Sequence, residues 1–440
     1  LTLSFEEATE LLEGRGFGIK PDLSRIEAIV ELLDHPERNY PSIQIAGTNG
    51  KSTTARMTGA ILAAHGINTG VYLSPHLQSV RERFLLAGPA EDTVHSDYMA
   101  KDEFAQLMEY LLPYVGEVEN NLGEQVTYYE LTTAMAFEWM SDKSVGAAVL
   151  ETGMGGTWDA ASVIEATVAV LTHIDVDHAE FLGSTPVENA LEKVGIIDEG
   201  SVVVSSSQNP EVLEVIEKKA AERGADLKLY SKDFELTQND PAVGGRHISI
   251  RGTRGVFEDI FVGLIGAHQG QNAAVAVAAC EEFLDRDLDA DAIRGALASV
   301  SSPGRIEVVR RRPIVVLDGA HNPHGAASLG PSLVEAFGKR RATFVVTIFK
   351  DKDARGILER LLPYADNVVF SSSGHPRSAD PEDLAEEARA LGYSNVTTIS
   401  SLTDAIDTAL SASEEEDMLV VTGSLWGIGV ARDHLVGPVD

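Results

Sequence analysis

The chain reads as an α/β protein: a mostly parallel sheet domain containing a phosphate loop, followed by a smaller Rossmann-like α/β domain. Three observations carry that reading. Short β-branched runs alternate with helical stretches along most of the sequence, the pattern of parallel sheets covered by helices. The apolar runs have strand length without polar alternation, as expected of strands covered on both faces. At 440 residues, the chain also exceeds one ordinary domain.

Taken in order, strands are expected at residues 42–46, 70–73, 147–151, 167–172 and 201–205, with helices at 52–65, 102–114, 128–141 and 187–198. From 230 to 263 the texture changes to shorter, more polar pieces such as HISIRG and VFEDIFVG, which suggest a small antiparallel addition. Two helices follow, near 268–284 and 289–300. The segment SSPGRIEVVRRRP then opens with Ser, Pro and Gly and carries three consecutive arginines near its end. It is the expected linker, giving domains at 1–300 and 313–440 joined by 301–312. Beyond it the alternation restarts: PIVVLDG, TFVVTIF, NVVFSSS, VTTIS and MLVVTGS as strands, with helical stretches between them.

The net charge is −33, from 68 acidic and 35 basic residues. Such a field disfavours nonspecific binding to nucleic acid or anionic membrane. The acids are spread along the chain, as on proteins adapted to molar salt, where screening mutes self-repulsion; a salt-adapted cytoplasm is the expectation. No apolar run approaches the length of a membrane helix, and the start LTLSFEEATE lacks a signal-peptide pattern. Beginning at Leu1 rather than Met, the chain is expected to be a processed product, a trimmed chain or a piece of a larger polypeptide. One cysteine, Cys280, excludes an intramolecular disulfide framework and reads as a buried helical thiol. A monomer is expected.

The clearest local motif is Gly47-Thr48-Asn49-Gly50-Lys51-Ser52-Thr53, after the strand IQIA and before TTARMTGAILAAHG. Glycine lets backbone N–H groups converge on phosphate oxygens, and the helix N-terminus adds partial positive charge. Lys51 is placed to reach the β and γ phosphates and Ser52 to ligate Mg2+. The loop is tighter than G-x-x-x-x-G-K-[ST], with Ile45 where that pattern has its first glycine.

Further loops leave expected strand ends, where open α/β sheets bind ligands. YLSPHL offers the Ser74 hydroxyl, though alone it reads as a turn. LETGMGG places Glu151 at the end of an apolar strand before a glycine loop, which suits a Mg2+ role or an exposed strand-end acid. THIDVDH packs four potential ligands, among them His178, into six residues. A metallohydrolase cluster is one alternative, but it leaves the phosphate loop unexplained. Lys193 in NALEKVGIID is by default a helical lysine. In the second domain DGAHNPH puts Asp318 and His321 at a strand end.

Together GTNGKST, LSPHLQSVRERF, YYELTTAMAF, LETGMGG, LTHIDVDHAEFLG, LEKVGII, GAHQGQNAAVAV, PGRIE, LDGAHNPHG, FKDKD and VTGSLWGIG resemble the folylpolyglutamate synthase/dihydrofolate synthase family of the Mur ligase superfamily. The likeness runs from about Phe5 to Arg432. It implies that Lys51 and Ser52 act in the phosphate loop, and that Ser74, Glu151 and His178 ligate magnesium. Lys193 matches a lysine that the family often carbamylates. Asn272 and Arg305 match nucleotide contacts, Asp318 an acid at the nucleotide end of the second domain, and His321 and Ser424 residues of the glutamate site. Two departures stand out. Ser52-Thr53 directly follows Lys51 where the family usually has a further glycine, and the chain has GGTWDAAS where GGRLDATN is common.

The resemblance implies an ATP-dependent amide ligase that joins L-glutamate to dihydropteroate or a folate through an acyl phosphate. The implied cofactors are ATP and Mg2+, with K+ as an optional further cation. Two other readings stand beside it: a Mur-type ligase acting on a cell-wall or poly-γ-glutamate precursor, and a nucleotide-dependent binding protein.

Overall fold

The protein is described here by a computed structural model that covers residues 3–16, 18, 20–89 and 94–439. Eight strands form the first sheet: β1 (Ser42–Ala46), β2 (Thr69–Tyr72), β3 (Phe84–Pro89), β4 (Val94–Tyr98), β5 (Ala147–Glu151), β6 (Val168–Leu171), β7 (Val202–Ser205) and β8 (Asp226–Leu229). Their spatial order is β4-β3-β2-β5-β1-β6-β7-β8. All neighbours are parallel except β2–β3 and β3–β4.

Side chains alternate between two buried faces. Ile43 and Ile45 of β1 and Val149 of β5 pack with Met57, Ile61 and Leu62 of the helix Lys51–Ala64 and with the alanine-rich helix Ala267–Leu284. Ala148 and Leu150 face the other way, onto the helices Phe5–Glu13, Ser24–Leu32, Lys101–Leu122 and Tyr128–Asp142. The helix expected at 102–114 therefore runs longer. Buried Val115 and Val118 continue the stripe of Phe104, Met108 and Leu111 past Pro113, and Gly123 in a left-handed conformation (φ 70°) ends it. Conversely, the helix expected at 187–198 is α-helical only over Pro186–Lys193, then tightens to a 3-10 turn over Val194–Ile196. Cys280 is buried in its helix.

The antiparallel addition is a three-stranded sheet of β9 (Glu235–Ala242), β10 (Gly245–Arg251) and β11 (Val256–Val262). The last sheet contains β12 (Glu307–Arg311), β13 (Ile314–Asp318), β14 (Ala342–Val346), β15 (Asn367–Ser372), β16 (Val396–Ser401) and β17 (Met418–Thr422), in the order β12-β13-β17-β14-β15-β16. Only β12 is antiparallel to its neighbour. Here the expected linker needs correction. Residues 307–311 are an edge strand of the last sheet, and the irregular connection ends at Ile306. An edge strand is open on one side, so its arginines reach water while its backbone pairs with β13.

These orders position the site. β2, β5, β1 and β6 are consecutive neighbours, so the loops at their C-terminal ends lie side by side; β13, β17 and β14 are likewise consecutive. Among the described residues no helix is long and apolar enough to cross a membrane.

Candidate functional site

The phosphate loop leaves β1 and enters the helix that starts at Lys51. Two positions require glycine. Gly47 (φ 151°) and Gly50 (φ 92°) lie where L-residues are strained. A Cβ on Gly47 would overlap Thr172 Oγ1, and one on Gly50 would come within 2.6 Å of Asn272 Oδ1. Asn272, on the helix Ala267–Leu284, thus abuts the loop, and its amide N–H donates to Gln269 Oε1 at 3.0 Å. Thr48 Oγ1 donates to the carbonyl of Asp175 (2.7 Å) and accepts from its N–H (3.0 Å), tying the loop to the one after β6. Thr53 Oγ1 lies 3.0 Å from Ser302 Oγ.

Two lysines converge on one carbonyl. Lys193 Nζ donates to Gly47 O at 2.9 Å and Lys51 Nζ to the same oxygen at 3.2 Å. Burial, reinforced by the Lys51 ammonium, pulls the Lys193 amine down to about 7. Lys193 is held by close packing: a Cβ on Gly156 would come within 2.8 Å of the carbonyls of Glu192 and Lys193.

Glu151 ends β5 and is 1% exposed. Its Oε1 accepts from Ser52 Oγ (2.8 Å) and its Oε2 from the Ser74 N–H (3.1 Å). Burial raises its proton affinity, while Lys51, the Ser74 and Ser52 hydrogen bonds and Arg305 oppose that rise. Ser74 Oγ in turn accepts from Arg83 Nη1 at 3.2 Å. Ser52, Ser74 and Glu151 are therefore in direct contact. His178 stands in the neighbouring loop in a left-handed conformation (φ 49°). Burial pulls its imidazole down to about 3, with Lys352, His321 and Lys51 acting in the same direction against Asp177. The neutral ring keeps a lone pair for a ligand.

The second unit reaches the same place. Lys352, after β14, donates to Asp177 Oδ1 at 2.6 Å, and His321 Nε2 lies 3.7 Å from Asp177 Oδ2. Against the cost of burial, His321, His178 and Lys352 hold the Asp177 carboxyl well below the usual carboxylate range. His321 Nδ1 donates to Gly319 O at 2.8 Å. Asp318 is buried at the end of β13 and accepts from the N–H groups of Ile306 and Ala320, both at 2.9 Å. Burial raises its proton affinity against the pull of Arg305. Ile306 is held at φ 47°, a strained value for a β-branched residue. Arg305 is close to Gly319, where a Cβ would meet its Nη1 at 3.1 Å. Asn49 and Asn322 exchange amide hydrogen bonds across the cleft at 3.3 and 3.2 Å. Ser424 is buried, and its hydroxyl caps the helix Leu425–Leu435 by accepting from the Gly427 N–H at 3.4 Å.

Sequence reasoning missed several members of this site. Asp177 was counted only as one of four dense ligands, and Lys352 only as part of FKDKD, although its position after an apolar strand gave the same signal as the others. Arg83, Asn322, Tyr129 and Asp159 likewise enter only inside the quoted stretches LSPHLQSVRERF, LDGAHNPHG, YYELTTAMAF and GGTWDAAS, with no role of their own. Tyr129 Oη donates to Asp159 Oδ1 at 3.0 Å and accepts from the Gly153 N–H at 2.7 Å, fixing the loop after Glu151.

The Mur ligase middle-domain family matches residues 45–280, and the Mur ligase glutamate-ligase-domain family matches residues 304–425. The chain is 39% identical to the dihydrofolate synthase/folylpolyglutamate synthase of Mycobacterium tuberculosis, over 94% of this chain and 90% of that protein. It is 31% identical to the Bacillus subtilis protein of that name, over 98% and 99%. The crystal structure of the M. tuberculosis folylpolyglutamate synthase complexed with ADP and AMPPCP superposes with a TM-score of 0.91 at 37% identity, covering 98% of each chain. The chain belongs to the dihydrofolate synthase/folylpolyglutamate synthase family of Mur ligases.

Proposed function

We propose that the chain joins L-glutamate to dihydropteroate, to a reduced folate, or to both, at the expense of ATP. The observation that carries this reading is the Glu151 carboxylate, clamped between the phosphate-loop Ser52 and the Ser74 loop and faced by Arg305 of the connection between the units. Loop glycines, Lys51 and the start of its helix grip the triphosphate. Asn272 and Asp318 flank the rest of the nucleotide, and Arg305 reaches the outer phosphates from the connection between the units.

Two hydroxyls, a carboxylate and the neutral His178 imidazole make a donor set suited to Mg2+. An Mg2+ ion held by these residues would supply positive charge opposite the transferring phosphoryl group; K+ would add a further countercharge. Carbamylated Lys193 supplies a carboxylate-like group in place of an ammonium that would repel the cation.

In the first step an oxygen of the substrate carboxylate attacks the γ-phosphorus and ADP leaves, giving an acyl phosphate. In the second, the glutamate amine attacks the acyl carbon, phosphate leaves, and the amine gives up a proton. Lys51 and Arg305 stabilise charge on the phosphoryl oxygens, while Lys352, His321 and Ser424 border the glutamate side. Closure about residues 301–306 keeps water from the acyl phosphate. The chain works as a monomer in a salt-rich cytoplasm. Release of ADP from ATP, with glutamate fixed and dihydropteroate exchanged for tetrahydrofolate, tests the reading. If neither acceptor supports release, it fails.

A further inference from the structure

We propose that His173, Asp175 and His324 form a second metal site, separate from the oxygen-rich one at Glu151, that takes a borderline divalent ion such as Zn2+ and ties the two sheet units together. Each residue offers one ligand atom, and the three atoms lie within 4.8 Å of one another. His173 and Asp175 come from the loop after β6; His324 is in the first turn of the helix Pro323–Phe337. Of the four dense ligands in THIDVDH, Asp177 and His178 belong to the catalytic cleft. His173 and Asp175 are left without a role there.

The donors are partly prepared. His173 Nδ1 lies 3.1 Å from the carbonyl of Ser207. A carbonyl only accepts, so Nδ1 carries the proton and Nε2 keeps its lone pair, the usual way a ligating ring is fixed. Asp175 Oδ1 accepts from the Val176 N–H at 2.8 Å, and among the described residues Oδ2 has no hydrogen-bond donor. The His324 ring stacks on His173 with centroids 4.3 Å apart and planes 19° from parallel. Two imidazoles and one carboxylate suit Zn2+, Ni2+ or Co2+, whereas Mg2+ favours a set dominated by oxygen, as at Ser52, Ser74 and Glu151.

Two features hold the affinity down. Nearly parallel stacked rings hold their lone pairs in two separate, nearly parallel planes, so one ring must turn to aim at a shared ion; His324 is exposed and is the one to turn. Its Nδ1 also lies 2.9 Å from Asn49 Nδ2, and an ion at that ring competes with this hydrogen bond. The site is therefore a reversible binder rather than a structural one. Because its ligands sit on both sides of the cleft, a bound ion opposes separation of the units and slows turnover. This last consequence rests on the ligase reading, whereas the binding does not.

Titration calorimetry of the full chain with ZnCl2, in excess Mg2+ and without nucleotide, tests the site. Wild type should bind one Zn2+ per chain. H173Q and H324Q should bind at least tenfold more weakly with unchanged melting temperatures, and His178→Ala should retain binding. The site is overturned by an absence of saturable binding to wild type, by binding unchanged in both Gln variants, or by binding lost only in His178→Ala. In the phosphate-release assay, Zn2+ should slow wild type and slow H173Q less. Stoichiometric binding with no slowing overturns the tie between the units.

Discussion

Lys193 gives the sharpest test of the cleft's chemistry. Burial and Lys51 bring its amine to about 7, from an ordinary value of 10.5. At pH 8 about nine-tenths of such an amine is free base, against roughly 0.3% for an ordinary lysine, a gain of roughly 300-fold in nucleophile. Carbon dioxide reacts only with the free base, so carbamate should form readily above pH 7 and be lost as pH falls below it. Enzyme in CO2-free buffer at pH 8 should show little glutamate-dependent phosphate release, and bicarbonate should restore it. With 13C-bicarbonate, NMR should show one carbamate signal that is absent from Lys193→Ala. That variant should lose most activity and regain part of it with added short carboxylic acids. A wild type indifferent to CO2, or a Lys193→Ala variant with full activity and no rescue, would refute the reasoning.

Other consequences follow from named contacts. Lys51→Ala and Glu151→Ala should each lower kcat by about 10^3-fold, the size of losing one transition-state contact, with circular dichroism unchanged; near-wild-type turnover in either variant removes that residue from the site. Asp177→Asn and Lys352→Ala should be non-additive by about 1–3 kcal/mol in a double-mutant cycle on kcat/KM, as desolvated charge pairs are; additive losses would mean the pair does not act as a unit. Gly50→Ala should weaken ATP binding at least tenfold in calorimetry, because its Cβ meets Asn272 Oδ1; unchanged affinity contradicts the loop geometry. With a net charge of −33, the melting temperature should rise from dilute buffer to molar KCl, and a flat profile counts against salt adaptation.

What was legible in the sequence was local. Strand, glycine turn and helix are consecutive from Ile43 to Ala64, so the glycine loop and its place between them could be read from neighbours in the chain. The same holds for Glu151, whose apolar strand announces its own end. Asp177 and Lys352 lie 175 residues apart, and nothing in either segment announces the other; their pairing comes from the packing of one sheet unit on another. The edge strand at 307–311 was hidden because its arginines read as a polar connection, while the backbone pairing that makes it a strand depends on β13. β4 was passed over for the same reason, being short, polar and at the margin of its sheet. The Lys193 amine looked ordinary because burial and the approach of Lys51 are set by the fold, not by NALEKVGIID.

The central claim is that phosphate leaves ATP onto the acceptor's carboxylate before the amide forms. It can be followed atom by atom with an acceptor labelled with 18O in that carboxylate, using mass spectrometry of the phosphate released in the glutamate-dependent reaction. The account predicts one 18O in each phosphate, carried over from the acyl phosphate. Phosphate free of the label would contradict it.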